Sequence, residues 1–149
     1  MTDVHDSITR SKNMAAIRST DTKPELYIRK ILYGAGYRYR LHVKKLAGKP
    51  DIVLKKYNLV IFVNGCFWHG HNCELFRLPK TRTEFWETKI SKNVSNDKKN
   101  ISELVNAGWK IGVIWECKLK GKHKNDINTI SKILEEWVSR RGKSEVNIL

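Results

Sequence analysis

At 149 residues, 40% of them hydrophobic and 30% charged, the chain suits one domain around a single core and leaves no room for a second independent one. Lysine and arginine number 29 against 15 aspartates and glutamates, and the resulting net charge of +14 points to a polyanionic partner, nucleic acid before a merely soluble basic protein. MTDVHDSITRSKN lacks the apolar segment of a secretory leader and no run reaches membrane-spanning length, so a cytoplasmic location is expected; in a reducing compartment, three cysteines are better used for metal binding than for disulfides.

In chain order, Ser7 to Arg18 reads as a short basic helix with Met14 and Ile17 as its few apolar contacts, part of an arm over residues 1–21. Thr22 to Glu25 forms a T-x-x-E capping box with Pro24 in the first turn, opening a helix on which Tyr27, Ile28, Ile31 and Leu32 recur, and Gly34 and Gly36 end it. Tyr37 to His42 alternates like a half-exposed strand. The loop KKLAGKP then leads into DIVLKK and LVIFV, joined by a hairpin at Tyr57-Asn58. Thr83 is expected to cap a long helix reaching Ala107, and WKIGVIWE, apolar on both faces, to form a central strand. Asn125 to Arg140 predicts an amphipathic helix with Ile127, Ile130, Leu134, Trp137 and Val138 on one side. Residues 141–149 show no pattern and are expected to form a loosely ordered tail. The order is α/β: a central mixed sheet flanked by helices, in one domain over 22–140.

The stretch VNGCFWHGHNC concentrates the rarest side chains of the chain. Cys66, His71 and Cys73 make C-x4-H-x-C, and Cys117 lies directly beyond the apolar strand. If the two strands lie side by side, three thiolates and an imidazole complete a closed tetrahedral zinc site; the alternative is that the cysteines are small buried hydrophobes. A loop pinned at Cys66 and His71 has little room to fold both Phe67 and Trp68 into the core. At least one is expected to project as a wedge for insertion between base pairs, unless both pack under the loop. His69 is left over.

GKPDIV places Asp51 at the head of a strand, as in the metal-binding half of a P-D...(D/E)-x-K nuclease motif. The second strand has Phe62, Val63 and Asn64 in place of the acid and lysine, so a magnesium ion at Asp51 needs a backbone carbonyl, water and phosphate oxygens. On the long helix, Asp97 falls on the stripe traced by Trp86, Ile90, Val94, Ile101, Leu104 and Val105. There it needs a partner, either His69, which an orienting carboxylate suits to proton transfer, or a lysine or arginine. Lys89 and Asn93 flank the same stripe.

RSKNMAAIRSTDTKPE, GKPDIV, VNGCFWHGHNC, TRTEFW, KNVSND and VIWEC, in that order, resemble the very short patch repair DNA mismatch endonucleases, the Vsr family, from Asp3 to Trp137. The resemblance implies a restriction-endonuclease-like fold, a structural zinc, and magnesium-dependent nicking of one strand of double-stranded DNA beside a T:G mismatch left by deamination of 5-methylcytosine. It further implies a monomer at the nucleoid, acting downstream of a cytosine methyltransferase, with mismatch-repair proteins as candidate partners. Under it, Asp51 is the principal magnesium ligand, helped by the backbone carbonyl of Val63. His69 is the general acid/base, Asp97 its neighbour, and Glu25 a supporting acid near the reacting phosphate. Cys66, His71, Cys73 and Cys117 hold zinc. Phe67, Trp68 and Trp86 intercalate, supported by Met14 from the minor groove, while Lys89 and Asn93 touch the mispaired bases. One departure stands at Asn64, where a branch of the family has histidine: an amide can hydrogen-bond a metal-bound water but cannot carry a proton at neutral pH. Two rival functions are a restriction enzyme of the same fold, cutting both strands, and a non-catalytic zinc-containing DNA-binding protein.

Overall fold

The computed structural model describes residues 21–122, 124–140 and 146–149. Helix α1, Lys23–Gly34, starts at Thr22, whose hydroxyl oxygen accepts the Glu25 N–H at 3.4 Å. The expected capping box is only half made. Glu25 does not reach back to Thr22; its carboxylate turns inward and is 1% exposed, because Arg29 and His42 meet it there.

Strand β1 is only Arg40–Leu41, shorter than the alternation suggested. Strands β2, Ile52–Leu54, and β3, Leu59–Asn64, form the antiparallel hairpin. Asn58 closes its turn in the left-handed region, φ 52°, which asparagine adopts more readily than bulkier residues. Helix α2, Thr83–Asn106, crosses to β4, Lys110–Trp115. Arg82, not Thr83, occupies the cap position of α2. Thr83 lies inside the helix and its hydroxyl donates to loop carbonyls of Pro79 and Lys80, at 2.8 and 3.1 Å, in place of capping helix N–H groups. Helix α3, Ile127–Ser139, is capped by Asp126, which accepts the Thr129 N–H at 2.8 Å. Ile130, Leu134, Trp137 and Val138 are buried as expected, whereas Ile127, at the very start of the helix, is 53% exposed.

The tail expectation is corrected for its last residues: Val146–Ile148 form β5, parallel to β4. Leu149 donates its N–H to Val113 and accepts that of Trp115, and the Asn147 amide takes a hydrogen bond from Arg140 at 2.6 Å. Three residues are too few to display a period of two, and pairing, not patterning, fixes them. The arm before residue 21, with Met14, lies outside the described residues.

The five strands lie in the order β1-β2-β3-β4-β5, antiparallel from β1 to β3 and parallel from β3 to β5. Side chains alternate across it: Ile52, Leu54, Leu59, Ile61 and Ile114 face α1 and α3, while Val53, Val60, Ile111 and Val113 face Leu104 of α2. No helix among the described residues is long and apolar enough to cross a membrane.

Gly112, mid-β4, marks the closest approach of α3 to the sheet. A Cβ there would stand 2.6 Å from two ring atoms of Trp137. Gly112→Ala is therefore expected to destabilise the protein by about 1–3 kcal/mol through overpacking, read as a lower urea midpoint at unchanged slope, and Trp137→Leu should cost less in that background than in the parent.

Candidate active site and metal centre

The register of β3 and β4 assembles the metal centre. Asn64 is paired with Trp115 at the end of both strands, so the turn after each begins at one edge of the sheet. Cys117 donates its N–H to the Cys66 sulfur at 3.4 Å, and its own sulfur lies 3.5 Å from Nδ1 of His71. One ligand atom from each of Cys66, His71, Cys73 and Cys117 falls within 4.8 Å of the others. A tetrahedron with bonds of about 2.3 Å to sulfur and 2.0 Å to nitrogen has edges of about 3.5–3.8 Å; the four residues fit it and could hold a metal ion. The His71 ring is stacked on Trp115, centroids 4.1 Å apart and planes within 7°. Burial pushes the Cys66 thiol up to about 12 and the Cys117 thiol upward, and holds the His71 imidazole below its ordinary value. Only a bound cation makes thiolates favourable in such surroundings.

Between these ligands the loop is pressed onto α2. At Gly70, φ +62°, a Cβ would come within 2.9 Å of Ile90 and 3.0 Å of Val94, so the approach requires glycine on both grounds. Asn93 Nδ2 donates to the Trp68 carbonyl at 2.9 Å. This seating brings Nδ1 of His69 to 2.5 Å from Oδ2 of Asp97. The two side chains are 28% and 32% exposed, so the pair is partly buried and still reaches solvent. With Nδ1 engaged, Nε2 is the ring nitrogen free to face a substrate.

Phe67, Trp68 and Trp86 are each half-buried. None projects as a free wedge; they pack on one another, with centroids 5.1 to 5.9 Å apart, and Phe76 joins at 6.2 Å. Phe85, 43% exposed beside Trp86, forms the open edge of this aromatic cluster. Cations surround it: Arg82 lies 4.2 Å from the Phe85 centroid and Lys89 6.0 Å from that of Trp68. Asn93, read from the sequence as free to face the bases, has its amide engaged in holding the loop.

Asp51 reaches the same edge because β2 runs antiparallel to β3. Its Oδ2 accepts the Val63 N–H at 2.8 Å. Burial pushes its carboxyl up to about 6; the Val63 N–H opposes this, and the adjoining Glu25 carboxylate adds to it. Beside Val63, the buried Asn64 lines a small cavity together with Asp97 and Asn100. A group absent from the sequence reading completes the site. Arg29 Nη2 lies 2.5 Å from Asp21 and 3.0 Å from Glu25, and His42 stands 3.3 Å from Glu25 and 3.9 Å from Asp51. The Arg29 guanidinium holds the Asp21 carboxyl below the usual carboxylate range. The spacing of Glu25 and Arg29, one helical turn, was the available signal; nothing in YRYRLH marked His42.

The Asp51 value sets a pH dependence. Because it stands above the ordinary 3.8, its contribution to folding is favourable below that value and is lost as pH rises through about 6. A cation held at Asp51 would compete with the proton, so its affinity is expected to fall about tenfold per pH unit below about 6 and to level off above. Mn2+ titrations across that range check this, and a flat profile would count against Asp51 as a ligand.

Comparison with known proteins identifies the family. The family model described as DNA mismatch endonuclease Vsr matches residues 2–75. The chain is 47% identical over 144 residues to the DNA mismatch endonuclease Vsr of Escherichia coli (strain K12), covering 97% of this chain and 92% of that one. It is 50% identical over 122 residues to the type II nicking enzyme V.NmeAIP of Neisseria meningitidis serogroup A / serotype 4A (strain DSM 15465 / Z2491), covering 82% and 87%. Among solved structures, the catalytic domain of the homing endonuclease I-Bth0305I superposes with a TM-score of 0.54 at 25% identity, covering 78% of this chain and 94% of that domain, and the fold is restriction-endonuclease-like. The chain belongs to the Vsr family of DNA mismatch endonucleases and is an endodeoxyribonuclease.

Proposed function

We propose that this protein nicks one strand of duplex DNA beside a T:G mismatch, the product of deamination of 5-methylcytosine, in a magnesium-dependent hydrolysis belonging to very short patch repair. The observation that carries the reading is the continuity of the site: Asp51 is tied to Val63, Asn64 shares a cavity with Asp97, and Asp97 holds His69. Asp51 and the carbonyl of Val63 would hold Mg2+, hard oxygen donors suited to that ion, which when bound supplies Lewis-acid stabilisation of charge on the phosphate. His69 takes a proton from the attacking water through Nε2, and Asp97 keeps the imidazole in the tautomer and orientation that this requires. Glu25 supports the same end of the site.

Zinc suits the Cys66, His71, Cys73 and Cys117 set, as a structural ion with no open position. The pinned loop then presents Phe67, Trp68 and Trp86 to the duplex, Met14 assisting from the arm, and Lys89 meets the mispaired bases together with the Oδ1 of Asn93, whose Nδ2 holds the loop. A mismatched step is cheaper to unstack than a paired one, which gives the rings their selectivity. The net charge of +14 fits the phosphate backbone as partner. Action as a monomer at the nucleoid, with mismatch-repair proteins as partners, belongs to the same reading.

A nicking assay on matched and T:G duplexes, with and without Mg2+, tests it. One-strand cleavage of the T:G duplex alone is expected; double-strand cleavage of matched DNA identifies a restriction enzyme, and no cleavage a binding protein. Asp51→Ala should abolish nicking and His69→Ala should slow it by about 10²–10⁴-fold, the usual worth of a general acid/base, while duplex affinity in EDTA holds in both. Metal analysis of the purified protein should return one zinc per chain, and folded, active protein without zinc would refute that assignment.

A further inference from the structure

The cluster behind Asp51 contains two cationic or imidazole groups to which the proposed mechanism gives no task. Glu25 is 1% exposed, and neither carboxylate oxygen has a well-formed hydrogen bond. What holds it is Arg29, one helical turn away, whose side chain is 12% exposed and whose Nη2 also meets Asp21 and lies 3.0 Å from Nε2 of His42. Nε2 of His42 also lies 3.3 Å from Glu25 and 3.5 Å from Asp21, while Nδ1 faces Asp51 at 3.9 Å, so the ring stands between Glu25 and Asp51. His42 is itself fixed. Its backbone is left-handed, φ 48°, and its N–H donates to the Asp51 carbonyl at 3.2 Å. Tyr39 donates its hydroxyl to the Arg29 carbonyl at 3.3 Å, tying the strand segment to α1.

We infer that Arg29 and His42 are positioning residues: Arg29 fixes the buried Glu25 carboxylate and His42 sets its spacing from Asp51, so that both acids address one divalent cation. This rests on the proposal that Asp51 is a metal ligand. A buried acid and a partly buried one side by side repel; a guanidinium behind Glu25 and a ring against both hold a separation that repulsion would otherwise widen. Partners of this kind, which touch the ligands and not the ion, commonly govern affinity as strongly as the ligands do.

The full-length protein tests this in three measurements: Mn2+ binding to its complex with nicked duplex, read as loss of the free-ion EPR signal; the Mg2+ dependence of nicking; and duplex affinity in EDTA. Arg29→Met and His42→Ala are expected to raise the Mn2+ dissociation constant and the Mg2+ half-saturation together by about 10–100-fold, with duplex affinity in EDTA unchanged. His42→Gln, which keeps a hydrogen-bonding head, should recover part of the loss. Mn2+ affinity within about twofold of the parent in both truncated variants overturns the inference, since a positioning role is worth more than that. So does an equal loss of duplex affinity in EDTA, the mark of a general structural fault. Should Arg29→Met fail to fold, Arg29→Lys and His42→Gln decide by the same criterion. A parent protein that neither nicks nor binds Mn2+ overturns the function itself; a parent that does both, with unshifted variants, overturns only the positioning role.

Discussion

Strands Leu59–Asn64 and Lys110–Trp115 run parallel and stay in register to their last pair, Asn64 opposite Trp115. Parallel pairing puts both C-terminal ends at one edge of the sheet, and each strand is followed there by a cysteine, Cys66 or Cys117. The antiparallel hairpin adds the start of β2 to the same edge, so Asp51 arrives beside Val63. Backbone hydrogen bonding thus gathers a four-residue set able to hold a metal ion and an acidic side chain, Asp51, from positions far apart in the chain. Their precision comes from buried strands, which move less than loops.

At that edge the charge balance of the molecule is locally inverted. The chain as a whole is strongly basic, yet Asp21, Glu25 and Asp51 gather around His42 and Arg29. A basic molecule and a local cluster of acids are opposite electrostatic demands. The protein combines the two by burying Glu25, partly burying Asp51 and leaving most lysines exposed. Burial has a stability cost, visible in the raised Asp51 carboxyl, of the kind functional sites often carry.

The aromatic cluster shows a similar compromise. Phe67, Trp68 and Trp86 satisfy one another at ring distances of 5.1 to 5.9 Å and remain half-exposed. Free rings on a basic surface would invite association; rings packed on each other stay ordered and can still exchange an edge for a base. The Cys66, His71 and Cys73 candidates on either side, and Gly70 against Ile90 and Val94, keep the loop from folding them away.

The sequence by itself determined what is local or periodic. Helices at Lys23–Gly34, Thr83–Asn106 and Ile127–Ser139, the hairpin around Asn58, and the central strand Lys110–Trp115 follow from spacing and turn residues. The four metal-ligand candidates were legible because cysteine is scarce in this chain. Tertiary structure decided where Glu25 turns, since a capping box and a buried acid share the same letters: Arg29 is a local i,i+4 partner, but His42 is brought close only by the fold. It also decided that Val146–Ile148 pairs with β4, that Asp97 meets His69, and that Asn93 braces the loop. Periodicity reports which face of an element is apolar. It carries no record of which neighbour arrives at that face, because such contacts are made between residues remote in sequence.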